Sequence, residues 1–482
     1  MKQPEQFAGK AWAIMLLALA VCLQLFFFSR GFYAVSWDES ARTLDAYSWA
    51  AHGTPQTPQW LPFYRILVGL GVTAFPDLFL TPRIITFLFG LATIPAAAWL
   101  AHELFQSRKV TMATMLLATF APQRIALSLA PLSEIMFIFA ILLSMASFAR
   151  WLSTNARSSL MLGGLFVALA GTIRYEGWLF GLAILAAAAT RAPGKERLLA
   201  GAIVLAFPLI WIGGKFVTAN PVAAVVAGAQ QYTPGQVLTR NPLIDFAVAN
   251  TVSLNLIGVV YAARRRTVTA IMFGPLAAMS LIFLLTRAAA TGASWRITAV
   301  WSILLLPFTA FLLTRIGKAA GPLVTLVLLA AFLFNTFRIE KASRWAFPRS
   351  DRDAGAYIDH RIAGDPSARI LIESSTYAYL NIEVASQHPD AFVNNSAPEQ
   401  PLSPRIVAPG ASLPGTLKAQ GITLLMFRSR DYQNFLNRSS EVVKLKDFGE
   451  WSIYQLVRLE STLLNPCYPR IETRIIFIRR PV

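Results

Sequence analysis

Charged residues are scarce in this chain, and acidic ones are scarcer than basic ones. Only 14% of the 482 residues are Asp, Glu, Lys or Arg, while 55% are hydrophobic. Soluble domains carry about 25% charged residues, so this composition excludes an ordinary soluble domain and predicts an integral membrane protein. The formal net charge is +18, but the basic residues form small clusters between apolar runs and no continuous stripe, which argues against a nucleic-acid partner.

Cysteine is almost absent, and so is a cleavage signal. Cys22 lies in the first apolar run and Cys467 near the C-terminus, so neither a disulfide nor a cysteine metal site is predicted. No small-residue cleavage motif follows the apolar stretch 11–28, which therefore predicts an uncleaved first span.

Long apolar runs are abundant. A helix crosses the bilayer with about 20 apolar residues, and on this criterion the sequence predicts about eleven spans. Their approximate ranges are 11–28, 84–102, 110–127, 132–149, 158–173, 177–190, 198–216, 246–262, 268–286, 297–313 and 320–337. A further apolar piece, 66–75, is too short to cross and is predicted to lie along the interface.

The basic clusters occur in alternate loops, and Lys and Arg are retained on the cytoplasmic side. The N-terminus is therefore predicted to be cytoplasmic, and the opposite face receives the long loop 29–83 and everything after about residue 338. We predict a mostly α fold in which residues 1–337 form a helical membrane domain. Residues 338–482 contain short strand-like runs such as ARILIES, GITLLMF and EWSIYQLV, preceded by a helical stretch at 351–362, and predict a small extracytoplasmic α/β domain.

Two adjacent acids, Asp38 and Glu39, follow the first span beside Trp37. Neighbouring carboxylates raise each other's proton affinity, which suits a general base or a cation site. The alternative is a solvated loop in which Trp37 is an interfacial anchor.

Other polar residues are predicted at the same face. Glu134 lies in the first turn of an apolar helix, where either the helix dipole or a function accounts for it. The turn TIRYEGW carries Arg174, Tyr175 and Glu176. An Arg and a Glu two residues apart do not face each other on a helix, so we expect separate partners for them, with a charge-paired structural turn as the alternative.

Two arginines, Arg287 and Arg296, flank the segment TGASW. Guanidinium groups hold phosphate oxygens in a fork of hydrogen bonds, although either arginine could instead mark a helix end by snorkelling. Acids and arginines on one face predict chemistry on an anionic lipid headgroup at the membrane surface.

Four motifs resemble the GT-C fold of polytopic glycosyltransferases. They are WDES after the first span, PLSEIMF, RYEGW and SWRITAVWSILLLPF. The resemblance covers about residues 10–337 and is nearest to the protein-O-mannosyltransferase-like and aminoarabinose-transferase-like families. It implies an integral membrane protein, which we expect in a prokaryotic inner (plasma) membrane.

The resemblance also implies roles for residues. Such families transfer a sugar from a polyprenyl-phosphate-linked donor, so Asp38 would be the general base, with Glu39 assisting. Arg296, helped by Arg174, would hold the donor phosphate, and a single displacement would invert the anomeric carbon. Supporting positions would be Glu134, Glu176, Tyr175, Trp37 and Arg287.

Several features limit what the resemblance implies. The chain has no WWD motif and no MIR-type repeats, so the acceptor stays open among a lipid, a glycan and a protein. No second acidic cluster with ligand spacing accompanies Asp38 and Glu39, so no metal site is predicted, although a divalent cation stays open. Competing classes are a flippase or transporter of a lipid-linked sugar, for which two similar halves are expected, and a non-enzymatic membrane scaffold.

Overall fold

The computed structural model describes residues 3–54, 57, 60–218, 294–317, 319–395, 417 and 421–457. The first helices are α1 Gln3–Ser29, α2 Asp38–His52, α3 Pro62–Ala74, α4 Leu80–Phe105, α5 Arg108–Phe120, α6 Pro122–Leu129, α7 Glu134–Thr154, α8 Arg157–Ile173, α9 Glu176–Arg191 and α10 Gly194–Thr218. They are followed by α11 Ser294–Leu304, α12 Leu306–Leu313 and α13 Ala320–Ser343. A C-terminal α/β unit, residues 349–457, comprises α14 Arg349–Gly364, β1 Arg369–Ile372, α15 Tyr379–Ala385, β2 Phe392–Asn394, β3 Ile422–Phe427, α16 Arg430–Asn437, β4 Val442–Phe448 and β5 Trp451–Leu456.

Fewer helices are long enough to span a membrane than the sequence predicted. In the described ranges five qualify, namely α1, α4, α7, α10 and α13, and the bent pair α5–α6 makes six. The predicted total of about eleven is therefore not confirmed. Helices α8 and α9 have only 17 and 16 residues, and 297–313 is divided between α11 and α12. The predicted spans 246–262 and 268–286 lie outside the described residues.

The bend between α5 and α6 has a local cause. Pro122 lacks an N–H and disfavours a helical conformation at Ala121, so the helix breaks there with an angle of 53°. Arg124, which is fully buried, donates from Nε to the Ala118 carbonyl at 2.7 Å and from Nη2 to the Thr119 carbonyl at 2.9 Å. It thereby satisfies carbonyls that the end of α5 leaves without helical partners.

The spanning helices differ in how much surface they bury. In α7, 78% of the most apolar 18-residue stretch is buried inside the protein. The corresponding values for α10 and α13 are 11% and 17%. Apolar side chains that face outward over a full span are expected only where lipid covers them. Helix α7 is therefore the centre of the bundle, and α10 and α13 lie at its periphery.

The C-terminal unit is built on a five-stranded sheet of order β2-β1-β3-β5-β4. Strand β1 pairs in parallel with β2 and β3, while β5 pairs antiparallel with β3 and β4. The three strands and the helix predicted from the sequence are confirmed as β1, β3, β5 and α14. Strand β2, with three residues, and the charge-rich β4 were not predicted, because neither has a continuous apolar run.

The C-terminal unit packs on the segment between α1 and α4. Tyr47 of α2 donates a hydrogen bond to Asp390 at 2.7 Å, and the amide of Leu78 donates to Gln387 at 2.8 Å. Helix α13 continues to Ser343, beyond the predicted end of its span at 337. The α/β unit thereby lies against the segment that carries Asp38 and Glu39.

Candidate functional site

The turn between α1 and α2 is folded around one acid, Glu39. Gly31 has a φ of +94°, a conformation that glycine adopts without strain, and it turns the chain after α1. The fully buried Glu39 carboxylate accepts hydrogen bonds from the amides of Val35 at 2.7 Å and Ser36 at 3.1 Å, and from the Ser36 hydroxyl at 2.7 Å. Glu39 therefore fixes the loop that leads into α2.

The neighbouring acid, Asp38, has a different environment. It is the first residue of α2 and is only half-buried, while its amide donates to the Ser36 hydroxyl at 3.3 Å. A carboxylate in the first turn of a helix is stabilised in its ionised form by the helix dipole. Of the two acids, only Asp38 is partly exposed.

Trp37 contacts aromatic residues that follow the last spanning helix. Its ring lies edge-on to Trp345 with centroids 5.1 Å apart, and the Tyr377 ring is 6.0 Å away. Trp37 thus joins α2 to the entrance of the C-terminal unit, a contact that the interfacial-anchor alternative did not include.

A buried chain of hydrogen bonds continues from α2 into the C-terminal unit. The Ser40 hydroxyl donates to Asn381 Oδ1 at 2.8 Å, and Asn381 Nδ2 donates to Asp351 at 2.9 Å. The Trp451 indole donates to the other Asp351 oxygen at 3.2 Å. All four side chains are at most 3% exposed. Burial raises the pKa of Asp351 to about 6, and its hydrogen bonds with Asn381 and Trp451 oppose that shift.

Arg42 lies on the same face of α2 as Asp38, four residues later, and the sequence analysis did not single it out. Its guanidinium carbon is 4.5 Å from the centroid of the Trp60 ring and 5.9 Å from that of Tyr64. Tyr64 in turn donates a hydrogen bond to the Pro131 carbonyl, just before α7, at 2.6 Å. The i,i+4 spacing to Asp38 was the available signal, because such residues are neighbours on a helix surface.

The second predicted group of polar residues forms one ionic cluster. Arg174 Nη1 donates to Glu134 at 2.7 Å and Nη2 donates to Glu176 at 2.5 Å, and Glu134 is fully buried. The expectation that Arg174 and Glu176 have separate partners is wrong. Arg174 has an extended backbone, φ −146° and ψ 144°, between α8 and α9, so the helical spacing rule does not apply to it.

The remaining predicted positions are less informative. Tyr175 is 46% exposed and packs edge-on against Trp178 at 5.1 Å. Arg296 falls in the first turn of α11, and Arg287 lies outside the described residues. In the ranges that the structure describes, no three His, Cys, Asp or Glu side chains come together in a group that could hold a metal ion.

One family model and several solved structures are similar to this chain. The family model of dolichyl-phosphate-mannose-protein mannosyltransferases matches residues 70–232. ArnT from Cupriavidus metallidurans is similar in structure, with a TM-score of 0.64 and 12% identity over 93% of this chain and 98% of that one. No curated protein sequence matches the chain significantly.

Two further solved structures are similar. The oligosaccharyltransferase AglB from Archaeoglobus fulgidus, in complex with an inhibitory peptide and a dolichol-phosphate, has a TM-score of 0.50 and 13% identity over 96% of this chain and 76% of that one. The arabinofuranosyltransferase AftD from Mycobacteria has a TM-score of 0.51 and 14% identity over 92% and 41%. The chain therefore has the GT-C fold that its motifs resemble, and its apolar helices are those of an integral membrane protein. The family model that matches part of the chain and the structures similar to it are those of glycosyltransferases.

Proposed function

We propose that the protein is an inverting glycosyltransferase that moves a sugar from a polyprenyl-phosphate donor to a hydroxyl group at the outer face of the membrane. The observation that carries this proposal is the half-buried Asp38 carboxylate at the start of α2, held by the loop that Glu39 folds. It is supported by the fold, which the chain shares with glycosyltransferases.

In the proposed reaction Asp38 accepts the proton of the acceptor hydroxyl. The acceptor oxygen then forms a bond to the anomeric carbon from the face opposite the phosphate, and the bond from that carbon to the phosphate oxygen breaks. The polyprenyl phosphate leaves with the bonding electron pair, and the configuration at the anomeric carbon inverts. General-base catalysis of this type contributes about a hundredfold or more to the rate.

The leaving phosphate requires positive charge, because stabilising developing charge is a large part of catalysis. Arg296 keeps the role of phosphate ligand that the resemblance implies. Arg174 is a weaker candidate, since Glu134 and Glu176 already neutralise it. We propose that Arg174 instead joins the start of α7 to the turn between α8 and α9.

The test is transfer of labelled sugar from a panel of radiolabelled polyprenyl-phosphate sugars by the purified protein in detergent, supplied with membrane lipid, glycan and peptide fractions as acceptors. We expect the wild type to consume one donor and Asp38→Asn to be at least about a hundredfold slower, since this change keeps the shape and removes the base. Asp353→Asn, which alters an exposed carboxylate on α14, is the control and should keep the wild-type rate.

The competing classes predict different results. Equal rates for the wild type and Asp38→Asn would remove Asp38 from the mechanism. A flippase would move a fluorescent lipid-linked sugar across the bilayer of proteoliposomes without breaking its glycosidic bond. A scaffold would neither cleave nor move any donor.

A further inference from the structure

Arg42, which is half-buried, differs from the buried and half-buried arginines around it in the described part of the chain. Arg65 is bonded to Asp45 at 2.7 Å, and Arg83 donates to the carbonyls of Tyr33 and Phe79. Arg124 is held by helix-end carbonyls and Arg174 by two carboxylates, as described above. Arg42 has no hydrogen-bond acceptor and no carboxylate partner among the described residues, and its Nε atom is buried.

The two rings beneath Arg42 hold its guanidinium without using its N–H groups. A guanidinium stacks on aromatic faces through its π-system. Its N–H donors point outward in the plane of the group and stay available to bind two oxygen atoms of one ligand in a fork. A buried donor without an acceptor is costly in a finished site. The arrangement is therefore suited to a ligand that brings oxygen acceptors, and phosphate is the group whose oxygens match this fork.

Helix α3 indicates that this phosphate belongs to a lipid. Tyr64, one of the two rings under Arg42, is followed on α3 by the apolar side chains of Ile66 and Leu70, which are 40% and 58% exposed. Ile66 and Leu70 share one face of α3, whereas the buried Tyr64, two residues before Ile66, lies on the opposite face. The helix that carries this ring therefore turns an apolar strip outward, away from the arginine. Exposed apolar side chains on a helix of a membrane protein are covered by lipid. Arg42 is thus held by a ring on a helix that lies at the membrane, and a phosphate carried by a lipid is available there.

We propose that Arg42, supported by Trp60 and Tyr64, binds the phosphate of the lipid-linked donor. This inference rests on the proposed function, because it assigns a subsite of the same reaction. Asp38 and Arg42 are separated by one helical turn, about 5.4 Å, so one rigid element carries both the base and a ligand of the leaving group.

The test measures binding and needs no turnover. The full-length protein in detergent is titrated with polyprenyl phosphate, with polyprenol and with phosphatidylglycerol, and tryptophan fluorescence is recorded because Trp60 contacts Arg42. The wild type should bind the phosphate at least tenfold more tightly than the alcohol. Arg42→Gln should lose this preference, and Arg42→Lys should keep part of it because an ammonium is a single-point donor.

The matched control is Arg315→Gln, which removes the same charge from an exposed arginine stacked 5.3 Å from a single ring, that of Phe311. It should bind as the wild type does, and the thermal unfolding of all variants is compared to detect misfolding. Unchanged phosphate binding by Arg42→Gln, or a wild type that does not distinguish phosphate from alcohol, would overturn the proposal. An equal loss of phosphatidylglycerol binding would overturn the assignment to the donor.

The same experiment separates this inference from the proposed function. If Asp38→Asn binds polyprenyl phosphate normally and Arg42→Gln does not, the subsite stands whatever the rate measurements show. If the wild type binds the phosphate through Arg42 but releases no sugar from any donor, the transferase proposal fails and the subsite remains.

Discussion

At the scale of single residues, the adjacent acids Asp38 and Glu39 differ in burial and in hydrogen bonding. Glu39 is buried and accepts three hydrogen bonds from the loop, whereas Asp38 is half-buried at the helix start. We expect Glu39→Gln to lower the free energy of unfolding by about 1–3 kcal/mol. The NH2 group of the glutamine amide would face the N–H and O–H donors of Val35 and Ser36, and at least one of these hydrogen bonds would be lost. Asp38→Asn should cost less stability and more activity. Thermal unfolding in detergent measures the difference, and equal destabilisation by both substitutions would show that the structural assignment of Glu39 is wrong.

At the scale of elements, helix α2 is held by helix α15 through the hydrogen bond between Ser40 and Asn381. We expect Asn381→Ala to lower kcat about tenfold while leaving the affinity for polyprenyl phosphate and the pH dependence of the rate unchanged, because it loosens α2 without removing a reacting group. Ser40→Ala, which removes one hydrogen bond of the same chain, should have a smaller effect in the same direction. The rate and binding assays above measure both variants. An unchanged kcat in Asn381→Ala would mean that this contact does not position the base.

At the scale of the whole molecule, the stability of the C-terminal unit should depend on pH. Burial raises the pKa of Glu383 in α15 to about 8 and that of Asp351 to about 6. Above their unfolded pKa values, near 4, the folded state binds more protons than the unfolded state, so stability falls as pH rises towards 8 and then levels off. The slope is at most about 1.4 kcal/mol per pH unit for each group. Unfolding temperatures from pH 5 to 9 should therefore decline for the wild type, and Glu383→Gln should flatten the upper part of the curve. A wild-type curve that rises over this range would contradict the assignment.

The sequence predicted those parts of the molecule whose structure depends on the local pattern of apolar residues. Apolar runs located most of the described helices and three strands, and the position of Asp38 after the first span predicted the region of the candidate site. The predicted number of spans is not confirmed in the described residues, where short helices and the break before α12 interrupt runs that are continuous in hydrophobicity. Arg42 was missed because its significance depends on Trp60 and Tyr64, which reach it only through the fold. The bond from Ser40 to Asn381, which are 341 positions apart in the sequence, has no local sequence signature.

That separation has a consequence for biosynthesis. The ribosome completes α2 early, but its partner on α15 emerges only after the membrane helices between them have been made. The start of α2 therefore lacks the bond from Ser40 to Asn381 until the late α/β unit has folded against it. Nascent or truncated chains that end before residue 381 would insert into the membrane with every spanning helix in the described ranges and still lack a finished site.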